Sequence, residues 1–333
     1  MKNRFISTGA GLLLALAVAT AAVAQTTRAV PATSTAPAAP WATTGPSSTQ
    51  ASQPAVEPPG ALLSAWQDKD DPKSMIRFER TRVSEFSNGF LSVKKVVQYE
   101  DGRVILSAMG HRFPLVFQVK DAKTLVFTLN GKQVTYARLD KLPAELEVKP
   151  AKLAKAVALK GDQLQAIQID LAERYQKDKN AIQKRIKPDA FMKMTADNAA
   201  WLKKTIAEIG WLDARRFGKV SAEAAFVLAN RSADIPLMLA AMPQVEADAR
   251  AKLIDGENFA TLYDRVKVLT GERQRYGTQI TMLKPGQFAV LPLEEPRKVD
   301  EYRKQLGIGT LKDYIEKQKK QHEWKELPVM EDD

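Results

Sequence analysis

The spacing of the apolar residues changes partway along this chain, and that change restricts the possible folds more than any other feature. Up to about Leu139 these residues lie in short runs separated by Asp-Gly and Asn-Gly pairs, a pattern typical of antiparallel hairpins. From Gly161 they recur every three or four residues, as in amphipathic helices. We therefore expect an α+β fold: a small antiparallel β-meander domain followed by a mainly α-helical domain with a β-hairpin.

The first pattern predicts an antiparallel β domain at residues 61–140, with a meander of about five strands. Turns are expected at Asp101-Gly102 and at Asn130-Gly131, because these residue types tolerate positive φ. One face of such a sheet is available for a core. His111 lies in a connection of this domain, where we interpret it as a solvated residue.

Residues 141–160 are predicted to form a basic connector between the two domains. Four lysines alternate with Ala, Leu and Val, a pattern that favours a short basic amphipathic helix; they are Lys149, Lys152, Lys155 and Lys160. Such a helix could contact an anionic surface, or its lysines could form an ordinary solvated face. The composition fits both interpretations.

The remaining residues, 161–333, are predicted to form the helical domain. Suitable N-cap residues occur at three positions: Asp162, Thr195 and Asn258. Pro243 is expected to open a helix of its own. A hairpin is expected at residues 275–291, because Pro285-Gly286 suits a type II turn between two apolar runs.

The N-terminus has the features of an export signal. Residues 1–24 combine a basic start with an apolar segment, and Ala22-Val23-Ala24 predicts cleavage between Ala24 and Gln25. An uncleaved anchor is the alternative, because the apolar segment approaches the ~20 residues that a span needs. We favour cleavage, which predicts a periplasmic or secreted protein with no stable membrane span. Residues 25–60 are rich in Pro, Ala, Thr and Ser and are predicted to be a disordered linker.

The composition excludes several kinds of chemistry. Cysteine is absent, which excludes disulfides, thiol nucleophiles and Cys-ligated metals. Only two histidines occur, and the chain has no Gly-rich phosphate loop, no G-x-S-x-G motif and no HExxH motif. We therefore expect no metal and no cofactor. No known catalytic signature indicates a reaction.

Positive charge is concentrated in the first half of the exported chain. Residues 61–160 contain 18 Lys or Arg against 11 Asp or Glu, whereas residues 161–333 contain 29 against 27. A basic exported domain fits an anionic envelope component as its partner. Nucleic acid is not expected as a partner, because the protein is predicted to be exported and carries no nucleic-acid-binding motif.

One polar stretch in the helical domain is a candidate binding site. Its residues are Asp264 and Arg265 near a predicted helix end, and Gln274, Tyr276, Thr278 and Gln279 after it. If the second group formed a strand, alternate side chains would share one face. These groups could bind a small polar ligand, with Asp264 orienting Arg265. Alternatively, they could bond to one another and hold the hairpin to the helix.

These residues resemble a bacterial family of proteins with a domain of unknown function. Its pattern runs G-W-P, a helix ending in Q-H-A-D, then D-R, then Q-x-Y-G-T-Q, and an Arg in a late short helix. The matching residues here are Gly210-Trp211, Asp264-Arg265, the block 274–279 and Arg303. The resemblance covers roughly residues 165–318 and implies a shared helical fold and a polar site, but no reaction.

The chain departs from that family pattern at two positions. Leu212 replaces the Pro after Gly-Trp, and the segment 229–234 lacks the family's His, whose position we expect Arg231 to occupy. Arg231 cannot transfer protons near neutral pH, but it could still hold an anionic ligand. The resemblance thus implies the following ligand-binding set: Asp264, Arg265, Gln274, Tyr276, Thr278, Gln279, Arg303 and Arg231.

Three functions are compatible with these observations. We favour an exported envelope protein that binds a polar or anionic ligand through the helical domain. The alternatives are an envelope interaction or scaffold protein that uses the basic β domain, and a hydrolase that acts on cell-envelope polymers. Whether the protein is an enzyme stays open.

Overall fold

An antiparallel β-barrel and a helical domain follow one another along the chain. The computed structural model describes residues 57–129 and 131–331. The predicted signal peptide and most of the predicted linker therefore lie outside the described residues. The barrel comes first, and the helical domain carries a β-hairpin near its end. The predicted α+β class is confirmed.

Eight antiparallel strands form the barrel, and β1 pairs with β8 to close it. The strands are β1 (Ala65–Asp68), β2 (Met75–Phe78), β3 (Arg82–Ser87), β4 (Phe90–Glu100), β5 (Arg103–Ala108), β6 (His111–Asp121), β7 (Thr124–Leu129) and β8 (Lys132–Arg138). The predicted antiparallel meander is present, but it has more strands than the five expected and it is closed. Strands β1 and β2 have only four residues each, too few for a period of two to be recognised.

The predicted hairpin around Asn130-Gly131 is present. Leu129 of β7 pairs with Lys132 of β8, and Gly131 has a φ of +76°. Asn130 itself lies outside the described residues. Glycine has no Cβ, so it adopts this left-handed conformation without steric cost.

Side chains fill the interior of the barrel. Along β6, Leu115 and Phe117 are buried while Val116 between them is exposed, as the alternation of a strand requires. The ring of Phe127 stacks on Phe78 with centroids 5.8 Å apart and meets Tyr136 edge-on at 5.0 Å. Barrels of eight strands are narrow enough for side chains to occupy the centre. This barrel therefore has a packed aromatic core.

Eight α-helices occur within the described ranges, all after the barrel. They are α1 (Gly161–Gln183), α2 (Pro188–Ile209), α3 (Ala214–Phe217), α4 (Lys219–Ser232), α5 (Ile235–Arg250), α6 (Gly256–Leu269), α7 (Val299–Gln305) and α8 (Leu311–His322). Helix α4 lies at the centre, where it contacts α1, α2, α3, α5 and α6. None of the helices is long and apolar enough to cross a bilayer.

Three predicted helix starts and one predicted break differ from the structure. The N-caps are Lys160 for α1, Lys187 for α2 and Asp255 for α6, in place of Asp162, Thr195 and Asn258. Asp255 accepts the Glu257 N–H at 2.9 Å, and so stabilises an earlier start. Pro243 lies inside α5. That helix continues past it with Ala241 and Val245 buried in the core.

The hairpin is shorter than the predicted range of 275–291. It consists of β9 (Ile280–Lys284) and β10 (Gln287–Val290). Residues 274–279 are not part of a regular strand; Gln274 makes only a single bridge, to Leu293. The predicted strand face of Gln274, Tyr276 and Thr278 was therefore wrong. The reason is the hydrogen bonding of this segment to Asp264, described below.

The connector is extended, and the predicted amphipathic helix is absent from it. It has one 3-10 turn at Ala144–Leu146, and residues 147–160 after that turn have no regular secondary structure. The N–H groups of Ala151, Ala154 and Val157 donate to carbonyls of the helical domain at 2.8, 2.9 and 3.2 Å. A helix would need these N–H groups for its own hydrogen bonds. Hydrogen bonds to the helical domain therefore replace the local hydrogen bonds that a helix would form.

The barrel and the helical domain are in contact. Leu91 and Val93, on the outer face of β4, form one buried apolar cluster with Ile235 of α5. His111 is half-buried in β6, and its Nε2 lies 3.4 Å from Thr281 Oγ1 of the hairpin. The prediction that His111 is a solvated loop residue was therefore wrong.

Candidate functional site

Asp264 is a fully buried carboxylate near the end of α6, and it organises the segment that follows that helix. It accepts the backbone N–H groups of Arg275 at 2.7 Å, Tyr276 at 2.9 Å and Thr278 at 2.9 Å. The Thr278 hydroxyl also donates to it at 2.9 Å. Burial raises the pKa of this carboxyl to about 6, although these hydrogen bonds act to lower it. The segment curls around Asp264, which explains why it is not a strand.

Gln274 and Gln279 lie at the two ends of the same loop, and hydrogen bonds join them to each other. The Gln274 amide donates to the Gln279 carbonyl at 3.0 Å and to the Leu291 carbonyl at 2.7 Å, and it accepts the Gln279 N–H at 2.7 Å. The Gln279 amide donates to Thr278 Oγ1 at 3.1 Å. Both side chains are therefore used inside the protein, and they join the loop to the hairpin.

Arg303 of α7 ties the loop to the last two helices. Its guanidinium is almost fully buried, and it donates to the Tyr276 carbonyl at 2.7 Å and to the Gly309 carbonyl at 2.6 Å. It also lies over the ring of Tyr314, 5.2 Å from the centroid. Burial lowers the pKa of Arg303. Arg303 thus stabilises the loop, and its hydrogen bonds go to the protein itself.

Tyr276 belongs to an aromatic cluster at the surface of the helical core. Its ring meets Tyr263 at 5.5 Å and Phe259 at 6.0 Å. Burial raises the pKa of the Tyr276 phenol to about 12. The neighbouring Gly277 has a φ of +74°, and a Cβ there would lie 2.5 Å from Leu311 Cδ1. The loop therefore needs glycine at this position.

Arg265 has a different environment from Asp264, although the two are adjacent in sequence. It is only 6% exposed, its Nε has no hydrogen-bond partner, and it makes no ion pair within residues 57–129 and 131–331. Burial, together with the positive charge of the nearby Arg231, lowers the pKa of Arg265 to about 10. The expectation that Asp264 orients Arg265 was wrong, because every hydrogen bond to Asp264 comes from residues 275–278.

Arg231, at the end of α4, pairs with a carboxylate outside the set of residues predicted from the sequence. Its Nη1 contacts Oδ2 of Asp178 on α1, whose side chain is fully buried. The other oxygen of Asp178 has no partner. Burial lowers the pKa of Arg231. The structure thus brings Arg231 and Arg265 near one another with a single carboxylate, so this place has a net positive charge.

The sequence contained one signal that could have identified Asp178. The apolar stripe of α1 runs through Ile167, Leu171 and Tyr175, and the next position on that stripe is Asp178. A carboxylate on a core-facing stripe usually has a buried partner. Asn198 on α2 and Asn230 on α4 are also buried, and each leaves one polar atom without a partner. No sequence pattern distinguished Asn198 and Asn230 from the other polar residues of their helices.

The eight predicted site residues therefore separate into two groups. The first group is joined by hydrogen bonds within the loop, and Arg303 binds that loop through the Tyr276 carbonyl. Its members are Asp264, Gln274, Tyr276, Thr278, Gln279 and Arg303. Arg265 and Arg231 form the second group, which we call the arginine pair. No group of three or more His, Asp or Glu residues suited to a metal ion occurs in the part of the chain that the structure describes.

Comparison with known proteins identifies the helical domain. The model of a family of unknown function, DUF6624, matches residues 159–325. No curated protein and no solved structure matches the chain. The matched range contains every predicted site residue, from Arg231 to Arg303, and excludes the barrel. It confirms the resemblance seen in the sequence: the chain belongs to the DUF6624 family of unknown function.

Proposed function

We propose that this protein is an exported envelope protein whose helical domain binds a small anionic ligand at the arginine pair. The observation that carries the proposal is the state of Arg265: among the described residues, this buried guanidinium has no counterion and one of its hydrogen-bonding atoms has no partner. The rest of the predicted site is internally bonded. The arginine pair is the part of the site whose positive charge could neutralise an anionic ligand.

An isolated buried charge is costly, which is why Arg265 indicates a ligand. The effective penalty for a buried ion is several kcal/mol unless a partner of opposite charge offsets it. Arg231 increases this penalty, because its positive charge repels that of Arg265. Asp178 neutralises one of the two guanidinium groups. A bound anion would neutralise the other.

The geometry of the guanidinium group favours carboxylate or phosphate as the anion. Both oxyanions accept two parallel N–H bonds from one planar guanidinium group. The Asp264 loop fixes the end of the helix that carries Arg265, and so holds the guanidinium in place. A fixed donor loses less conformational entropy when the ligand binds.

The N-terminal sequence supports export. Ala22-Val23-Ala24 follows a basic start and an apolar segment, as in a cleaved secretion signal. The chain also lacks cysteine, so its fold does not depend on the redox state of its compartment. We therefore place the protein in the periplasm or outside the cell, where an anionic ligand would come from the envelope or the medium.

Thermal denaturation of wild type and Arg265→Met with inorganic phosphate, acetate and dialanine tests the proposal. At least one of these anions should raise the Tm of the wild type. Arg265→Met should bind that anion about tenfold to a hundredfold more weakly, because a charge-assisted hydrogen bond contributes about 1.5–3 kcal/mol. Without ligand, the variant should be as stable as wild type or more stable, since it removes an uncompensated charge.

Arg275→Met is the matched control. Arg275 lies on the loop that follows α6 and pairs with Glu294 at 3.0 Å, so its loss should leave anion binding unchanged. A large loss of stability in Arg265→Met, together with no Tm shift of wild type by any of the three anions, would show that Arg265 is a structural residue.

A further inference from the structure

The connector presents a fixed row of lysines to solvent. We call residues 149–160 the strap. Its backbone is held against the helical domain by the three hydrogen bonds from Ala151, Ala154 and Val157. Leu153 and Leu159 pack on the helical core. The strap is therefore an extended segment with one side facing inward and one side facing solvent.

The outward side of the strap is basic and unpaired. Lys152, Lys155 and Lys160 are exposed and make no ion pair within the ranges that the structure describes. No Asp or Glu occurs between residues 149 and 160. At about 3.3 Å per residue, an extended segment separates these lysines by roughly 10 and 17 Å. They therefore lie in a line whose charge is not neutralised locally.

Exposed apolar residues lie among these lysines. Val157 is 43% exposed, with the exposed Ala156 and Ala158 on either side of it. Arg216 donates to the Val157 carbonyl at 2.9 Å, which brings the junction of α3 and α4 beside the strap. That junction carries Val220, which is 78% exposed.

The junction also contributes charge of both signs. Lys219 is exposed there, with Glu223 at 3.8 Å, and Asp162 lies just beyond the end of the strap. The lysines outnumber these two carboxylates. The surface therefore combines exposed apolar side chains with an excess of lysines. We call it the strap face, made up of Lys152, Lys155, Lys160, Val157, Lys219 and Val220.

We infer that the strap face binds the surface of an anionic lipid bilayer. The lysine row complements the negative potential of anionic headgroups. In contact with a bilayer, the two exposed valines would gain by entering the boundary between headgroups and acyl chains, which shelters apolar surface from water. A soluble polyanion would engage the lysines but would leave the valines in water. The presence of both features favours the bilayer.

This inference does not depend on the arginine pair. The strap face uses exposed side chains of the connector and of the α3–α4 junction, whereas Arg265 is buried in α6. The barrel and the connector together carry most of the net positive charge of the described chain. That excess would also accelerate the approach to a negative surface.

Vesicle co-sedimentation tests the inference. The exported chain, with its N-terminus determined by mass spectrometry, should bind vesicles of phosphatidylglycerol and phosphatidylcholine and should not bind phosphatidylcholine alone. The triple variant Lys152→Glu/Lys155→Glu/Lys160→Glu should lose binding by roughly a hundredfold or more, because each lysine near an anionic surface contributes about a fivefold gain. Binding should also weaken as salt is added.

Two further variants distinguish bilayer binding from a net-charge effect and from binding of a soluble polyanion. Lys120→Glu/Lys123→Glu/Lys132→Glu makes the same change in net charge on exposed barrel lysines, and should retain most of the binding. Val157→Ser should weaken vesicle binding about twofold to fourfold through lost apolar burial. Equal losses in the two triple variants would overturn the inference in favour of a net-charge effect. If Val157→Ser had no effect and soluble polyphosphate bound as tightly as vesicles, the face would be a polyanion site instead.

Discussion

At the scale of single residues, Asp264 and Arg265 show how neighbours in sequence can have different roles. Successive residues of an α-helix point about 100° apart, so they face different surroundings. Asp264 is turned toward the loop at 275–278 and is saturated with donors. Arg265 is close enough to Arg231 for the two charges to repel, and it has no counterion among residues 57–129 and 131–331. The D-R motif therefore combines a structural residue with a candidate binding residue.

Replacing Asp264 should destabilise the protein without any ligand present. In Asp264→Asn, one carboxylate oxygen becomes an NH2 group that faces backbone N–H donors, so at least one buried donor loses its acceptor. Each such loss costs about 1–3 kcal/mol. Urea unfolding of wild type and variant measures the difference. Asp162→Asn, at an exposed position, should change stability by no more than about 0.5 kcal/mol. Equal stability of Asp264→Asn and wild type would contradict the structural role of Asp264.

At the scale of elements, the loop between α6 and β9 is the part whose conformation the sequence pattern misrepresented. Alternate polar residues suggested a strand, but a strand needs its N–H groups for a neighbouring strand. Here Asp264 takes three of them, and Gln274 takes the N–H of Gln279. The same argument applies to the strap. Its Lys-rich alternation suggested a helix, yet three of its N–H groups bond to carbonyls of the helical domain.

Gly277 should be the most sensitive glycine of this loop. Gly277→Ala introduces a Cβ only 2.5 Å from Leu311 Cδ1 at a positive φ. Gly286→Ala is the matched control, because Gly286 has a φ of +79° but nothing within 4 Å of the added Cβ. Both variants carry the backbone cost, and only Gly277→Ala adds overpacking. The two free energies of unfolding should differ by about 1–3 kcal/mol. Equal losses would mean that the Leu311 side chain moves aside at little cost.

At the scale of the whole molecule, the barrel and the helical domain are joined by the connector, and two domains linked in this way could each unfold independently. The contacts between the barrel and the helical domain predict that the two unfold cooperatively instead. Leu91, Val93 and Ile235 form one buried cluster across the boundary, and the backbone of the connector is hydrogen bonded to the helical domain. Proteases need an unfolded segment, so we expect residues 147–160 to be protected from cleavage.

Ile235→Ala should weaken both parts of the molecule. Truncation of a buried isoleucine costs about 2–5 kcal/mol. Because the side chain lies in the shared cluster, amide hydrogen exchange should accelerate in the barrel strands as well as in the helices. Ile169→Ala removes an exposed side chain and should change neither. Unchanged exchange in the barrel of Ile235→Ala would show that the two domains unfold separately.

The sequence alone determined the order of the two domains, the fold class and the family. Each of these rests on a local or short-range signal: the period of the apolar residues, the turn pairs and the motifs from Gly210 to Arg303. It also indicated eight candidate residues: seven match the family in type and order, and Arg231 was expected to take the place of the family's His. It did not indicate Asp178, the partner of Arg231. It could not separate structural residues from binding residues, since both need the same polar groups.

Only the tertiary structure decided which of those residues are structural and which are candidate binding residues, and how the barrel closes. Barrel closure depends on pairing between β1 and β8, which are far apart in sequence, and no local pattern encodes it. The partners of Asp264 follow it by 11 to 14 positions, and Asp178 lies 53 positions before Arg231. Whether a buried polar group is satisfied depends on such distant partners, so the unpaired state of Arg265 became visible only once the helices were packed.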